Sequence, residues 1–163
     1  MSHDLNHEHD VRCLIHALRG DFSQAVALLE AQPSLLAATT GRGETALHWL
    51  VVENRSRAVQ FLLERGAEVD RAASAGDTPL ISAARMGYVE MCKILIGAGA
   101  NVNATDQNAD SVLHHAAQGD HEEVVQLLLE GGADPSVVNT IDETPDDLAS
   151  PALAGRLRKF RRR

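Results

Sequence analysis

Aromatic side chains are nearly absent from this 163-residue chain, which has three Phe, one Trp and one Tyr. A core without rings must be built from Leu, Val, Ile and Ala, and this favours packed helices over a β-sandwich. Cysteine is equally scarce. Cys13 and Cys92 cannot make a disulfide framework, so a reduced, cytoplasmic protein is expected. No apolar run approaches the roughly 18–20 residues that span a bilayer. The first ten residues have neither a basic start nor an apolar stretch, so no signal peptide is expected. Basic charge is missing from most of the chain. Residues 1–155 hold nine basic and twenty-three acidic side chains, a net of −14, whereas residues 156–163 hold six basic and none acidic. An acidic body does not offer the Lys and Arg that phosphate contacts need, so nucleic acid is not its expected partner.

What is present is a period. Thr45-Ala46-Leu47-His48, Thr78-Pro79-Leu80-Ile81, Ser111-Val112-Leu113-His114 and Thr144-Pro145-Asp146-Asp147 start 33 residues apart. The same step relates Gly66, Gly99 and Gly132, and also Asp21, Asn54, Gly87 and Asp120. Thr78 suits an N-cap and Pro79 the first helical position. Leu80, Ala83 and Ala84 share one helical face, as do Leu113, Ala116 and Ala117. Asp120 with Glu123, and Asp21 with Gln24, read as capping boxes for a second, more apolar helix that ends at a glycine. Each unit is helix–turn–helix plus a loop of about ten residues, and such a unit buries its apolar face only by stacking.

Period and motifs together resemble the ankyrin repeat, on Thr78-Pro79-Leu80, Ala83-Ala84 and Gly99-Ala100-Asn101-Val102-Asn103. The resemblance runs from about Val11 to Phe160 and implies an all-α solenoid. The expected division is a flexible segment 1–10 and a repeat domain 11–155. Within that domain lie an N-terminal cap 11–43, full repeats 44–76, 77–109 and 110–142, and the start of a C-terminal cap 143–155. A basic capping-helix end or tail, 156–163, completes the chain. Asp146 stands where Leu47, Leu80 and Leu113 stand, which marks a polar-faced last unit. Ala109 replaces the turn glycines Gly43 and Gly76, at a cost of about 1 kcal/mol if φ is positive there.

Chemical motifs are weak. Gly41-Arg42-Gly43-Glu44-Thr45-Ala46 matches a dinucleotide fingerprint but follows no strand. Asp106-Gln107-Asn108-Ala109-Asp110 opens like a calcium loop, yet has Ser111 and Ala117 where that loop needs Gly and Glu. His3, His7 and His9 are imidazoles on a segment with no fixed geometry to select a metal. Cys13 and Cys92 fall in helix interiors and read as core thiols. His115 and His121 read as surface or groove residues. No cofactor, metal or catalytic set is expected, and the chain is not expected to be an enzyme.

The resemblance implies that His48 and His114 order the loops by hydrogen bonds. It also implies a monomeric protein-binding module, regulatory or adaptor in kind, that uses loop tips and the exposed face of each first helix. Carried to matching positions, the contact residues are Arg42, Glu44, Ser74, Asp77, Arg85, Met86, Gln107, Asn108, Asp110 and Gln118. Trp49 is either a further anchor or a partly buried packing residue. The acidic body suits a partner with a basic patch rather than a small-molecule substrate. The alternative puts function in residues 156–163, which would bind anionic lipid, nucleic acid or a nuclear import receptor. Against it stands a capping helix whose basic end complements its dipole and the acidic body.

Overall fold

A computed structural model describes residues 3–20 and 22–161. Met1, Ser2, Asp21, Arg162 and Arg163 lie outside the described residues, and with them the expected cap at Asp21 and the last two tail arginines. The order of helices is α1 His3–Arg19, α2 Phe22–Ala31, α3 Ala46–Val52, α4 Ser56–Glu64, α5 Pro79–Arg85, α6 Val89–Gly97, α7 Val112–Gln118, α8 Glu122–Glu130, α9 Pro145–Leu148 and α10 Pro151–Phe160. Among the described residues there is no strand, and no helix is long and apolar enough to cross a membrane.

The helices stack in two layers. The first helices form one row in which α1 touches α3, α3 touches α5, α5 touches α7 and α7 touches α9. The second helices form another, α4 on α6 on α8, and each hairpin joins the rows. Fully enclosed Ala83, Ala84, Ala116 and Ala117 let the first helices approach closely, while Leu80, Leu113, Leu62, Leu95 and Leu128 fill the space between rows. At the N-terminal end Phe22 of α2 meets Phe61 of α4 edge to face, with ring centroids 5.0 Å apart.

Local chemistry explains the boundaries. The Thr78 side chain accepts a hydrogen bond from the Ile81 N–H at 3.3 Å, and Pro79 follows it. Gly66, Gly99 and Gly132 close the second helices at φ of 86°, 90° and 90°, where only glycine is unstrained. The expected box at Asp120 does not form. Asp120 adopts φ 54° and closes α7, so His121 becomes the N-cap of α8 with no side-chain bond. Nor does the chain divide at residue 10. With no Pro or Gly between His3 and Arg19, α1 runs straight through that point. Ala109 does take φ 60°, which carries the expected strain of about 1 kcal/mol.

The last unit departs most. Asp146 is 4% exposed in a position that elsewhere holds leucine. Arg158 Nε and Arg161 Nη1 donate to its two carboxylate oxygens at 2.7 and 2.8 Å, and the Thr144 hydroxyl adds a third bond at 2.8 Å. Leu153, Ala154 and Leu157 of α10 are buried, while Phe160 is only half-buried. Arg156 pairs with Glu122 and donates to Gln126 at 3.2 Å. Much of the basic tail is therefore bound to the body as a capping helix.

Candidate functional site: first helices and loop tips

The loops before α3, α5, α7 and α9 are tied into a row by their own backbones. Ser74 N–H donates to Arg42 C=O at 2.8 Å, Gln107 N–H to Ala75 C=O at 3.1 Å, and Thr140 N–H to Asn108 C=O at 2.9 Å. Gly76 is indispensable to this ladder, because a Cβ there would lie 2.7 Å from the Gln107 nitrogen and φ is 81°. Two histidines brace the row from beneath. Nδ1 of His48 accepts the Thr45 N–H at 3.1 Å, and its Nε2–H donates to Asp77 C=O at 3.1 Å. His114 repeats this with Ser111 N–H at 3.0 Å and Glu143 C=O at 3.0 Å. Ile81 takes that register in the middle repeat, and no ring bridges there.

The side chains expected to make contacts sort into three settings. Arg42, Ser74, Gln107, Asn108 and Gln118 are exposed, and Glu44 is half-buried, with the Thr40 hydroxyl donating to it at 3.1 Å. Trp49 and Met86 are 40% and 47% exposed, despite their size. Asp77, Arg85 and Asp110 belong to a relay in which Arg85 is exposed and both aspartates are half-buried. Arg85 forks onto Asp77 at 2.5 and 3.3 Å, and its Nε–H points at His115 Nδ1 at 3.5 Å. His115 Nε2–H donates to Asp106 at 3.1 Å. Asp106 in turn accepts the N–H groups of Asn108 and Asp110 at 2.8 and 3.1 Å, and Asp110 accepts from Asn139 at 2.8 Å.

Sequence reasoning missed four of these features. His115 is not a surface residue but 8% exposed, because the Asp106 loop closes over it. His121 is half-buried, its ring packed against Gly87 and Gly119 and bonded to Arg85 C=O at 3.1 Å. Val52 is 49% exposed on α3, and the 33-residue step from Arg85 and Gln118 points directly to it. Ile141, 70% exposed, follows from Asn108 by the same step. Cys92 is enclosed as expected, and burial pushes its thiol up to about 12. Cys13 is not in the core; it is half-buried on the wall of a cleft.

Trp49 borders three hollows. One of about 130 Å³ is lined also by Glu44, Val52, Asp77 and Ser82, one of about 410 Å³ by Arg12, Arg42 and Glu44, and one of about 600 Å³ by α1. Ligand atoms of Asp77, Asp106 and His115 lie within 4.8 Å of one another, but both Asp77 oxygens are engaged by Arg85. The guanidinium supplies there the positive charge that a metal would bring.

Models of known families now decide the kinship. One for ankyrin repeats in three copies matches residues 71–139, and one for the single ankyrin repeat matches residues 42–73. The chain belongs to the ankyrin-repeat family. Together the two matches run from residue 42 to residue 139. Among curated relatives, the chain is 35% identical over 85 residues to E3 ubiquitin-protein ligase XBAT33 of Arabidopsis thaliana, covering 51% of this chain and 17% of that one. It is 32% identical over 87 residues to human protein phosphatase 1 regulatory subunit 27, covering 53% and 56%. It is 38% identical over 79 residues to human NAD-capped RNA hydrolase NUDT12, covering 48% and 17%. The chain thus matches between about a sixth and just over half of these relatives' lengths. Ankyrin repeats generally mediate protein–protein interaction, and the shared segment is the repeats themselves.

The relay makes stability depend on pH. Burial lowers the His48 and His115 pKa values, and Arg85 lowers that of His115 further, against the raising effect of Asp106. A histidine depressed in the folded state binds its proton more readily once unfolded. Its contribution is complete above the unfolded value of about 6.5 and is lost as pH falls through the folded value. Melting temperature should therefore fall as pH drops below about 6.5, and His115→Gln should flatten that slope. An unchanged slope in the variant would mean that His115 is not the proton acceptor.

Proposed function

We propose that the chain is a non-catalytic, monomeric protein-binding module of regulatory or adaptor type, acting in the cytoplasm. It takes its partner on the face formed by α3, α5, α7 and the loop tips. The single observation that carries this reading is the half-exposed Trp49 at the meeting point of three hollows, beside exposed Val52. Large apolar side chains left in water next to fixed polar groups are what hot spots are made of. Met86 adds a flexible thioether on the same row of first helices, suited to an adaptable contact. Glu44, Asp77 and Asp110 set the sign of the surroundings and suit a partner with a basic patch. Arg85, forked onto Asp77, is already aligned to share a partner carboxylate. The tail reading draws no comparable support, since Arg156, Arg158 and Arg161 are engaged by Glu122, Gln126 and Asp146.

The test begins with affinity capture from native extract and mass spectrometry, followed by titration of the purified partner. Trp49→Ala with Met86→Ala should weaken binding by about 1–3 kcal/mol while helicity is kept. Truncation before Arg156 should weaken it only as far as it loosens the cap. Full-strength binding by the double variant would move the contact surface elsewhere.

A further inference from the structure

Trp49 stands between two fields of opposite sign. The hollow of about 130 Å³ on its α5 side is lined by the carboxylates Glu44 and Asp77 and by no Lys or Arg. The cleft of about 600 Å³ on its α1 side is lined by Arg12, His16 and Arg19 together with Ile15 and Leu28, and no described Asp or Glu joins them. Residues 1–155 carry a net of −14, so a wall without carboxylates is a local exception. Glu53 takes up the charge of Arg19. The hollow of about 410 Å³ shares Arg12, Thr40 and Trp49 with the cleft and adds Arg42 and Glu44, so the sign of the surface changes across it. Arg42 is exposed, and among the described residues no carboxylate pairs with it. Asp77 is already held by Arg85, whereas Glu44 is met by the Thr40 hydroxyl. Arg42 and Glu44 are therefore the two charges best placed to recognise something new.

We propose that this end of the face takes a partner segment in which a large apolar side chain stands between an acidic residue and a basic one. The inference rests on the protein-binding reading and adds the chemistry and the orientation of what is bound. The apolar side chain packs on the Trp49 ring and enters the cleft beside Ile15 and Leu28, whose volume is that of a ligand pocket. The acidic residue meets Arg42 on the α1 side, where a guanidinium offers forked N–H donors to a carboxylate. The basic residue lies over Glu44, at the hollow it shares with Asp77. Turning the segment round sets like charges face to face on both sides of the ring. Opposed fields thus select one orientation along the row of first helices as well as one composition. A uniformly basic segment suits Glu44 and Asp77 but is repelled by Arg42. The partner's basic patch accordingly belongs over α5 and α7 and stops short of α1.

The test selects binders for the full chain from a display library of random peptides and titrates them against the emission of Trp49, the one tryptophan. Selected peptides should carry Asp or Glu on one side of a Leu, Phe or Trp and Lys or Arg on the other, and should shift or quench that emission. Arg42→Glu should weaken them roughly tenfold or more, most of all at low salt. Lys93→Glu makes the same charge change at an exposed position on α6 and should leave them unaltered. A peptide with its acidic and basic residues exchanged should prefer the double variant Arg42→Glu with Glu44→Lys over the parent chain. No enrichment, selection of uniformly basic or uncharged peptides, or equal binding by parent and Arg42→Glu would overturn the assignment. With the captured partner, weakening by Trp49→Ala and Met86→Ala but not by Arg42→Glu would sink the charge assignment alone. Full-strength binding by all of these variants would sink the binding face with it.

Discussion

Replacing Arg158 and Arg161 together with glutamine should destabilise the protein by about 3 kcal/mol, near the cost of orphaning a buried charge. Asp146 occupies a leucine register and is 4% exposed, so water cannot replace the two guanidinium groups that hold it. Burial acts to raise its pKa, and the hydrogen bonds from Arg158, Thr144 and Arg161 outweigh that and hold the carboxyl below its usual range. The depressed value means that the pairing stabilises above the ordinary carboxylate range and is lost as pH falls through the folded pKa. Adding Asp146→Leu to the double variant should recover most of the loss, because it removes the orphaned charge and restores the side chain seen at Leu47, Leu80 and Leu113. Both arginines lie partly in solvent and rehydrate easily, so the rescue should be nearly complete. Denaturant melts of the three proteins check this. A double variant as stable as the parent, or a triple variant no better than the double, would show that the tail does not neutralise Asp146.

Leu80→Ala should cost about 2–5 kcal/mol, as truncations of enclosed leucines do. Leu80 is fully buried in α5, the central first helix, which packs on α3, α6 and α7. Ala83 and Ala84 beside it are themselves fully enclosed, and a densely packed interior relaxes only partly into a vacancy. No repeat buries its own apolar face, so the loss should shift one cooperative transition rather than melt the central repeat alone. Two transitions, or local opening confined to residues 77–109, would contradict a single coupled core.

The fold was legible because its physics repeats. Thr78, Pro79, Gly99 and the paired alanines each do a local job that the 33-residue period multiplies, and the surface residues Arg42 to Gln118 follow from the same register. What was not legible depends on contacts that the period does not contain. His115 aligns with half-exposed Trp49 and with Ser82, and it is buried only because the Asp106 loop folds over it. Asp146 reads as a solubilising polar substitution until Arg158 and Arg161, 12 and 15 residues on, arrive from α10. The Asp120 capping box fails because the residue is needed in a left-handed conformation to end α7 before it can begin α8. Cys13 follows the helical pattern, but its side chain lines a cleft of α1 rather than the space between the two rows of helices.

Hydrogen-exchange protection mapped with and without the captured partner tests the binding face most directly. The account predicts added protection in α3, α5, α7 and at the loop tips around Arg42, Ser74 and Gln107, with α4, α6 and α8 unchanged. Protection confined to the second helices or to residues 156–161 would contradict it.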